Sequence, residues 1–240
     1  MIALVSLALA QDARTLLEEA ARIQDQGNAI QQVRLTTTSR TGTEKVKELS
    51  LTVRKGGDAL DVRGELTAPA ALAGTRWVLR QADADAHFVL YLPALKTVTR
   101  IEGRSRSGSF LGTDFSYEDL QPPPLDAADH ALMSESTATW VVDSTPHDPE
   151  SSAYSRVRTT LDKASRLPTQ VDLFVGEAPR KRLEVLATAR EGGQQFPTHL
   201  VMTDLARGSH TSLEVLSWQL DVPDAQLPDA LFDPDALDAR

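Results

Sequence analysis

Hydrophobic and polar positions along the chain follow two periods. Between Asp12 and Gly27 the apolar residues recur at helical spacing, with Leu16, Ala20 and Ile23 on one face and Leu17 and Ala21 widening the stripe. Asp12 can cap the first turn of this helix and Gly27 can end it. Beyond Gly27 the period becomes two. Glu48-Leu-Ser-Leu-Thr-Val-Arg54 puts Leu49, Leu51 and Val53 on one side of a strand. Lys55-Gly-Gly-Asp58 is a hairpin turn, and Ala59 to Leu66 returns. The same pattern predicts strands at 75–81, 86–92, 97–102, 139–144, 154–161, 169–176, 180–188, 196–205 and 211–220. Turns such as Gly176-Glu-Ala-Pro179, Glu191-Gly-Gly193 and Arg207-Gly-Ser209 separate them. A mainly β fold follows: a single large curled antiparallel sheet of about eleven strands, with one helix at its start.

Two stretches break the pattern. Residues 103–128 carry no strand signal and contain Pro122-Pro-Pro124, and so long a loop within a folded domain is commonly functional. Within it, Arg106-Ser-Gly-Ser-Phe110-Leu-Gly-Thr-Asp114-Phe-Ser-Tyr-Glu-Asp-Leu120 sets two phenylalanines among small residues and ends in tyrosine and carboxylates. The tail, Val222-Pro-Asp through Leu227-Pro-Asp to Leu231-Phe-Asp-Pro, is an acidic strap punctuated by proline.

Composition narrows the function. A net charge of −9 excludes a nucleic-acid binder and adsorption to anionic lipid by charge alone. The absence of cysteine excludes disulfides, thiolate metal sites, a cysteine nucleophile and a lipidated N-terminal cysteine. Met1-Ile-Ala-Leu-Val-Ser-Leu-Ala-Leu-Ala10 is an apolar run ending in an A-x-A pattern, which reads as the core and cleavage site of a signal peptide over residues 1–10. It lacks the positive segment that precedes such a core, as a start set too far downstream would leave it. Residues 11–240 then form the mature domain.

Chemistry-bearing residues are scattered. His87, His130, His147, His199 and His210 form no metal-ligand pair, and neither a Gly-x-Ser-x-Gly elbow nor a phosphate loop occurs. Asp114, Glu118 and Asp119 are expected to pair with Arg100, Arg104 or Arg106, or to cap a turn, rather than to catalyse. No catalytic residue, metal site or cofactor is expected. Trp77, Trp140 and Trp218 lie in strands, as core or cavity wall. Phe110 and Phe115 sit in the loop, where each can either cover a cavity mouth or pin the loop to the sheet.

The block Leu90-Tyr-Leu-Pro-Ala-Leu-Lys96 followed by Arg106 to Leu120 resembles the outer-membrane lipoprotein-sorting proteins, the LolA-like carriers of the bacterial periplasm. Gly74-Thr-Arg-Trp-Val-Leu79, Trp140 to Pro146, Arg156-Val-Arg158, Leu167-Pro-Thr-Gln-Val171 and Leu227-Pro-Asp-Ala-Leu-Phe232 extend the resemblance over residues 28 to 237. It implies an open, incomplete β-barrel with helix and loop covering an apolar concave side. It implies a soluble monomeric periplasmic carrier of lipid or lipoprotein acyl chains towards the outer membrane, with an inner-membrane exporter as a further partner. The alternative is an accessory module docking onto an exporter of the resistance–nodulation–division type. Leu49, Leu51, Val53, Trp77, Leu79, Leu90, Leu92, Phe110, Phe115, Trp140 and Met202 become candidates for the cavity wall or mouth. Arg100, Arg104 and Arg106 become candidates for head-group or partner contact. The family's carriers use an arginine deep in the cavity, and this sequence has no assignable equivalent.

Overall fold

Alternation along successive strands, joined by tight turns, produces one antiparallel sheet. The computed structural model describes residues 12–56, 59–82, 85–121 and 124–238, so the expected signal peptide and part of the turn at Lys55–Asp58 lie outside it. The chain starts with α1 (Ala13–Gln24) and continues through β1 (Ala29–Thr38), β2 (Glu44–Gly56), β3 (Ala59–Ala68), β4 (Arg76–Ala82), β5 (Asp85–Leu92) and β6 (Thr97–Ile101). Four short 3-10 turns follow, then β7 (Ala128–Glu135), β8 (Thr139–Pro146), β9 (Arg156–Asp162), β10 (Pro168–Val175), β11 (Ala178–Glu191), β12 (Gln194–Asp204) and β13 (Ser209–Leu220).

All 13 strands join one sheet in the order β6-β5-β4-β3-β2-β1-β13-β12-β11-β10-β9-β8-β7. Two meanders therefore meet where β1 pairs with β13. The two edges, β6 and β7, are consecutive in sequence yet lie at opposite ends of the sheet. Residues 102–127 must span the gap between them.

The register aligns one face across the whole sheet. Val33 lies opposite Leu49, Leu49 opposite Leu66, Leu79 opposite Phe88, and Phe88 opposite Ile101. Buried side chains from β3–β6 join Leu173 of β10 and Met202 of β12 in one cluster, so the sheet curls until its two halves share an inner face. The outer face of β8–β11 is charged instead. Arg158 donates to Asp143 at 2.7 and 2.8 Å, and Arg182 to Asp172 at 2.6 Å.

Two strands are absent from the sequence reading, β1 and β7, and both have physical reasons. Along β1 the inward positions alternate apolar and polar, with Ala29, Gln31 and Val33 in series; Gln31 is buried and donates to Gln26 at 2.7 Å. β7 is an edge strand with no fully buried residue, so it carries little alternation to detect.

Helix α1 lies on the inner side. Ala13, Leu16 and Ala20 are buried against Trp140, Val142 and Leu161, and Asp12 accepts a 3.4 Å bond from the Thr15 amide. Lys163 stands 4.9 Å from the centre of the Trp140 ring. The tail straps the opposite face. Val222, Leu227, Phe232 and Leu237 are buried on Val78 and Val89. Arg54 fastens it, donating to the Leu227 carbonyl at 3.1 Å and to Asp229 at 2.6 Å, with its guanidinium 4.5 Å from the Phe232 ring centre.

Gly64 of β3 lies under Trp77, and a Cβ placed there would come within 1.9 Å of the indole. Glycine is thus required by close approach rather than by backbone conformation. Gly64→Ala is expected to lower the unfolding free energy by about 2 kcal/mol, as overpacking does. Urea denaturation measures this, and an unchanged midpoint would show that Trp77 is free to move aside.

Candidate functional site

The crossing segment folds into a hook. Ser109 and Ser116 form a β-bridge, the Phe110 amide donates to the Phe115 carbonyl at 2.8 Å, and Leu111 takes the left-handed conformation at φ 50. Thr113 Oγ1 donates to the Phe110 carbonyl at 2.7 Å. This closed turn drives both phenylalanines into the concave face, where Phe110 is 4% and Phe115 6% exposed. Phe110 meets Trp77 edge-on with centroids 5.1 Å apart and Tyr117 at 5.7 Å; Tyr117 meets Phe88 at 5.0 Å. Both side chains are packed on the sheet and both line the chamber beneath them.

The carboxylates anchor the same hook. Asp114 accepts from Ser209 Oγ at 2.5 Å and from Thr211 Oγ1 at 2.7 Å, while its own amide donates to Thr211 Oγ1 at 3.0 Å. Glu118 accepts from Ser152 Oγ and from the Ala153 amide. Asp119 accepts from Lys181 Nζ, from Tyr154 Oη and from the Ser116 amide, each at 2.7 Å. Burial first, then the Asp119 charge, pushes the Tyr154 phenol far above its usual range, so it stays a donor. Turn capping by Asp119 fits the sequence expectation, but among the described residues no pairing with Arg100, Arg104 or Arg106 occurs. The partners come from β11 and β13 and the segment before β9, which local sequence cannot reveal.

The hook leaves apolar space on both sides. One chamber, of about 130 Å³, is walled by Leu49, Leu51, Trp77, Leu79, Phe110 and Phe115. A larger one, of about 320 Å³, has a floor of Val157, Val171, Leu173, Leu183 and Met202, and a rim that includes Arg106 and Gln121. The structure thus places six of the sequence candidates in the first chamber and Met202 and Arg106 in the second. Leu90 and Leu92 belong to the surrounding core. Val53 lines a third, more polar recess beside Gln24 and Gln31 near the end of α1. Trp140 lies under α1, away from both chambers.

Of the arginines, Arg104 is exposed on its turn. Arg100 lies opposite Val89, on the outer face, and bonds Asp235 of the strap at 3.3 Å. It is therefore not at the mouth, because strand parity turns it away from the cavity. Sequence reasoning missed two inner lysines. Lys181 faces inward beside Leu173 and holds Asp119. Lys47 faces inward beside Leu35, is 6% exposed, and has no hydrogen bond or ion pair among the described residues. Burial, with a smaller contribution from Lys45, holds its amine below the usual lysine range. The strict alternation Lys45-Val-Lys47-Glu-Leu49 with Leu49 and Leu51 inward was the available signal for Lys47.

Comparison with known proteins agrees with this architecture. A family model described as "-like: Uncharacterized protein" matches residues 64–239, and the chain belongs to that family. A search of curated proteins returns no match. Among solved structures, a domain from Vibrio parahaemolyticus described as an outer membrane lipoprotein-sorting protein superposes with a TM-score of 0.86 at 22% identity, covering 94% of this chain and 98% of that one. A DUF1329 family protein from Desulfovibrio piger gives 0.86 at 22% identity, covering 94% and 97%. A LolA superfamily protein from Nitrosomonas europaea gives 0.71 at 19% identity, covering 91% and 98%. The fold is that of the LolA-like lipoprotein-sorting proteins.

Asp119→Ala would strand the buried Lys181 amine and the Tyr154 hydroxyl together. The unfolding free energy is expected to fall by about 3 kcal/mol. Hydrogen exchange should rise first at amides 108–121; uniform change across the sheet would show that Asp119 is not specific to the hook. Lys47→Met should instead stabilise the protein by about 1 kcal/mol at neutral pH, since it removes a cation that is partly desolvated and has no partner among the described residues. The wild-type lysine's lowered affinity for its proton costs stability fully below its folded-state value, and this cost fades as pH rises through that value towards the ordinary lysine range. The variant's advantage should therefore shrink at alkaline pH, and an advantage that grows with pH would overturn the assignment.

Proposed function

We propose that this member of a family with the LolA-like fold is an exported periplasmic carrier, formed by residues 11–240, that buries acyl chains of lipids or lipoproteins in the concave face and passes them towards the outer membrane. The observation that carries this reading is the apolar chamber under Phe110 and Phe115, continuous with the sheet's inner core and closed by a segment of the chain itself. A relative described as an outer membrane lipoprotein-sorting protein domain shares the fold, which supports the same reading. Among the described residues no helix is long and apolar enough to cross a membrane. We take the carrier to act as a monomer and to be non-catalytic, since Asp114, Glu118 and Asp119 are each engaged in holding the hook.

The mechanism is exchange of one apolar occupant for another. Withdrawing two buried phenylalanines costs about 3–6 kcal/mol of hydrophobic stabilisation. A chain that inserts ten methylenes recovers about 8 kcal/mol. Cargo therefore displaces the hook, and release to an acceptor lets the hook fall back. The buried state of both phenylalanines equally favours a second reading, an accessory module that docks onto a membrane exporter with its concave face permanently self-filled.

Titration with a fluorescent fatty acid separates the two. The carrier reading expects saturable binding that weakens at least tenfold in Leu51→Glu, with the far-UV circular dichroism unchanged. It expects tighter binding in Phe110→Ala, because the competing plug is smaller. Absence of binding in wild type and Phe110→Ala alike would leave only the docking module.

A further inference from the structure

The larger chamber contains polar groups that nothing in the fold explains. Its rim and walls carry Arg106, Glu118, Asp119, Gln121, Ser144, Ser151, Ser152 and Tyr154 among apolar neighbours. Most have partners. Glu118 is bonded by Ser152, Asp119 by Tyr154, Ser144 lies 2.8 Å from His130 Nδ1, and Ser151 Oγ donates to the Asp148 carbonyl at 2.6 Å. Two do not. Gln121 is 2% exposed, yet both its amide nitrogen and its amide oxygen are buried without a hydrogen bond. Arg106 Nε is likewise buried and unbonded, and Arg106 forms no ion pair among the described residues.

A buried side-chain amide with neither pole satisfied is costly, and such groups are rare in folded proteins unless something completes them. The missing partner must both donate and accept at Gln121 and must accept at Arg106. A fatty carboxylate meets only part of this requirement: it accepts from Arg106 and the Gln121 nitrogen but sets an anionic oxygen against Oε1. An ester or alkyl ether offers no N–H. A trans secondary amide points its N–H away from its own C=O, but an N-acyl amino acid sets that N–H beside the carbonyl or carboxylate of the same residue, so one donor and one acceptor face Gln121 with the apolar chain on the other side. Five aliphatic or thioether side chains, Val157, Val171, Leu173, Leu183 and Met202, floor the same chamber, so the chain has a place to lie.

We infer that the chamber rimmed by Gln121 and Arg106 is a head-group site for N-acyl amphiphiles, with the acyl chain on the apolar floor, the amide N–H donating to Gln121 Oε1, and the carbonyl or carboxylate of the same residue accepting from Gln121 Nε2 and from Arg106. This rests on the carrier reading and makes it specific for the linkage between chain and head. Gln121 is its specificity-determining residue; Arg106 supplies general attraction for the acceptor. The chemistry is common to free N-acyl amino acids and to N-acylated peptide termini.

The test compares N-lauroylglycine with O-lauroylglycolate, its isostere in which an ester oxygen replaces the N–H, and with laurate. Each is titrated below its micelle concentration against a fluorescent N-acylglycine bound to the full chain. N-lauroylglycine is expected to displace the probe at about tenfold lower concentration than the glycolate, the cost of leaving one buried acceptor unpaired. In Gln121→Leu the ratio should fall to one, while laurate's displacement is retained and the thermal midpoint of the unliganded protein rises. Arg106→Gln should weaken both head groups equally. An N-lauroyl tetrapeptide that competes as well as N-lauroylglycine assigns the site to acylated peptide termini, and its exclusion assigns it to free N-acyl amino acids. Equal displacement by amide and ester in wild type overturns the inference and leaves the carrier reading standing. Failure of every amphiphile, probe included, overturns both.

Discussion

The pairing of β1 with β13 constrains everything else in this molecule. It joins the first and last strands at the centre of the sheet, so the edges fall to β6 and β7 in mid-chain. A closed barrel would pair those edges and seal the interior. Here they remain apart, and the connection between them crosses the concave side. A segment forced over an apolar surface must either bury apolar groups there or lose their stabilisation to water. Phe110, Phe115 and Tyr117 are the side chains that bury, and the hook is the shape that delivers them.

The two faces of the sheet are covered by different chemistry. On the outer face the strap is fixed by Arg54, which joins Asp61, Asp229 and the Leu227 carbonyl at once, while Phe232 and Leu237 are wholly buried. That combination of packing and multidentate bonding has no replacement in solution, and it makes a permanent cover. On the inner face the hook's apolar contacts are generic, since any hydrocarbon could substitute for a phenyl ring. Its polar contacts lie at one end, where Asp114 meets Ser209 and Thr211 and Asp119 meets Lys181 and Tyr154.

Period-two alternation was enough to place most strands within a few residues, because one face is buried along nearly the whole sheet. It failed at β1, where buried Gln31 interrupts the apolar series, and at β7, which buries almost nothing. The hook was legible as a block of unusual composition but not as a geometry. Its partners Thr211, Lys181 and Tyr154 are brought to it by topology, and no local spacing encodes that. Arg100 shows the converse error. Basic residues close in sequence looked like one rim, yet β6 parity turns Arg100 outward to the strap while the chain's turn carries Arg106 inward. Lys47 follows the same alternation onto the inner face, although a lysine there runs against the usual rule of burial.

The polar anomalies of the interior are not evenly distributed. Gln121 and Arg106 hold buried side-chain atoms without a hydrogen bond within one chamber, while every carboxylate of the hook is engaged. A fold under selection for stability alone would replace Gln121 with leucine, since an unbonded buried amide costs about 1–3 kcal/mol and a leucine of similar volume would stabilise instead. The fold carries that cost beside the larger of the two apolar chambers. A strained or unsatisfied group is informative in proportion to how easily it could have been avoided. Gln121 could have been avoided by a single substitution, and its position at the rim, where an acyl chain would give way to a head group, ties the cost to recognition rather than to folding.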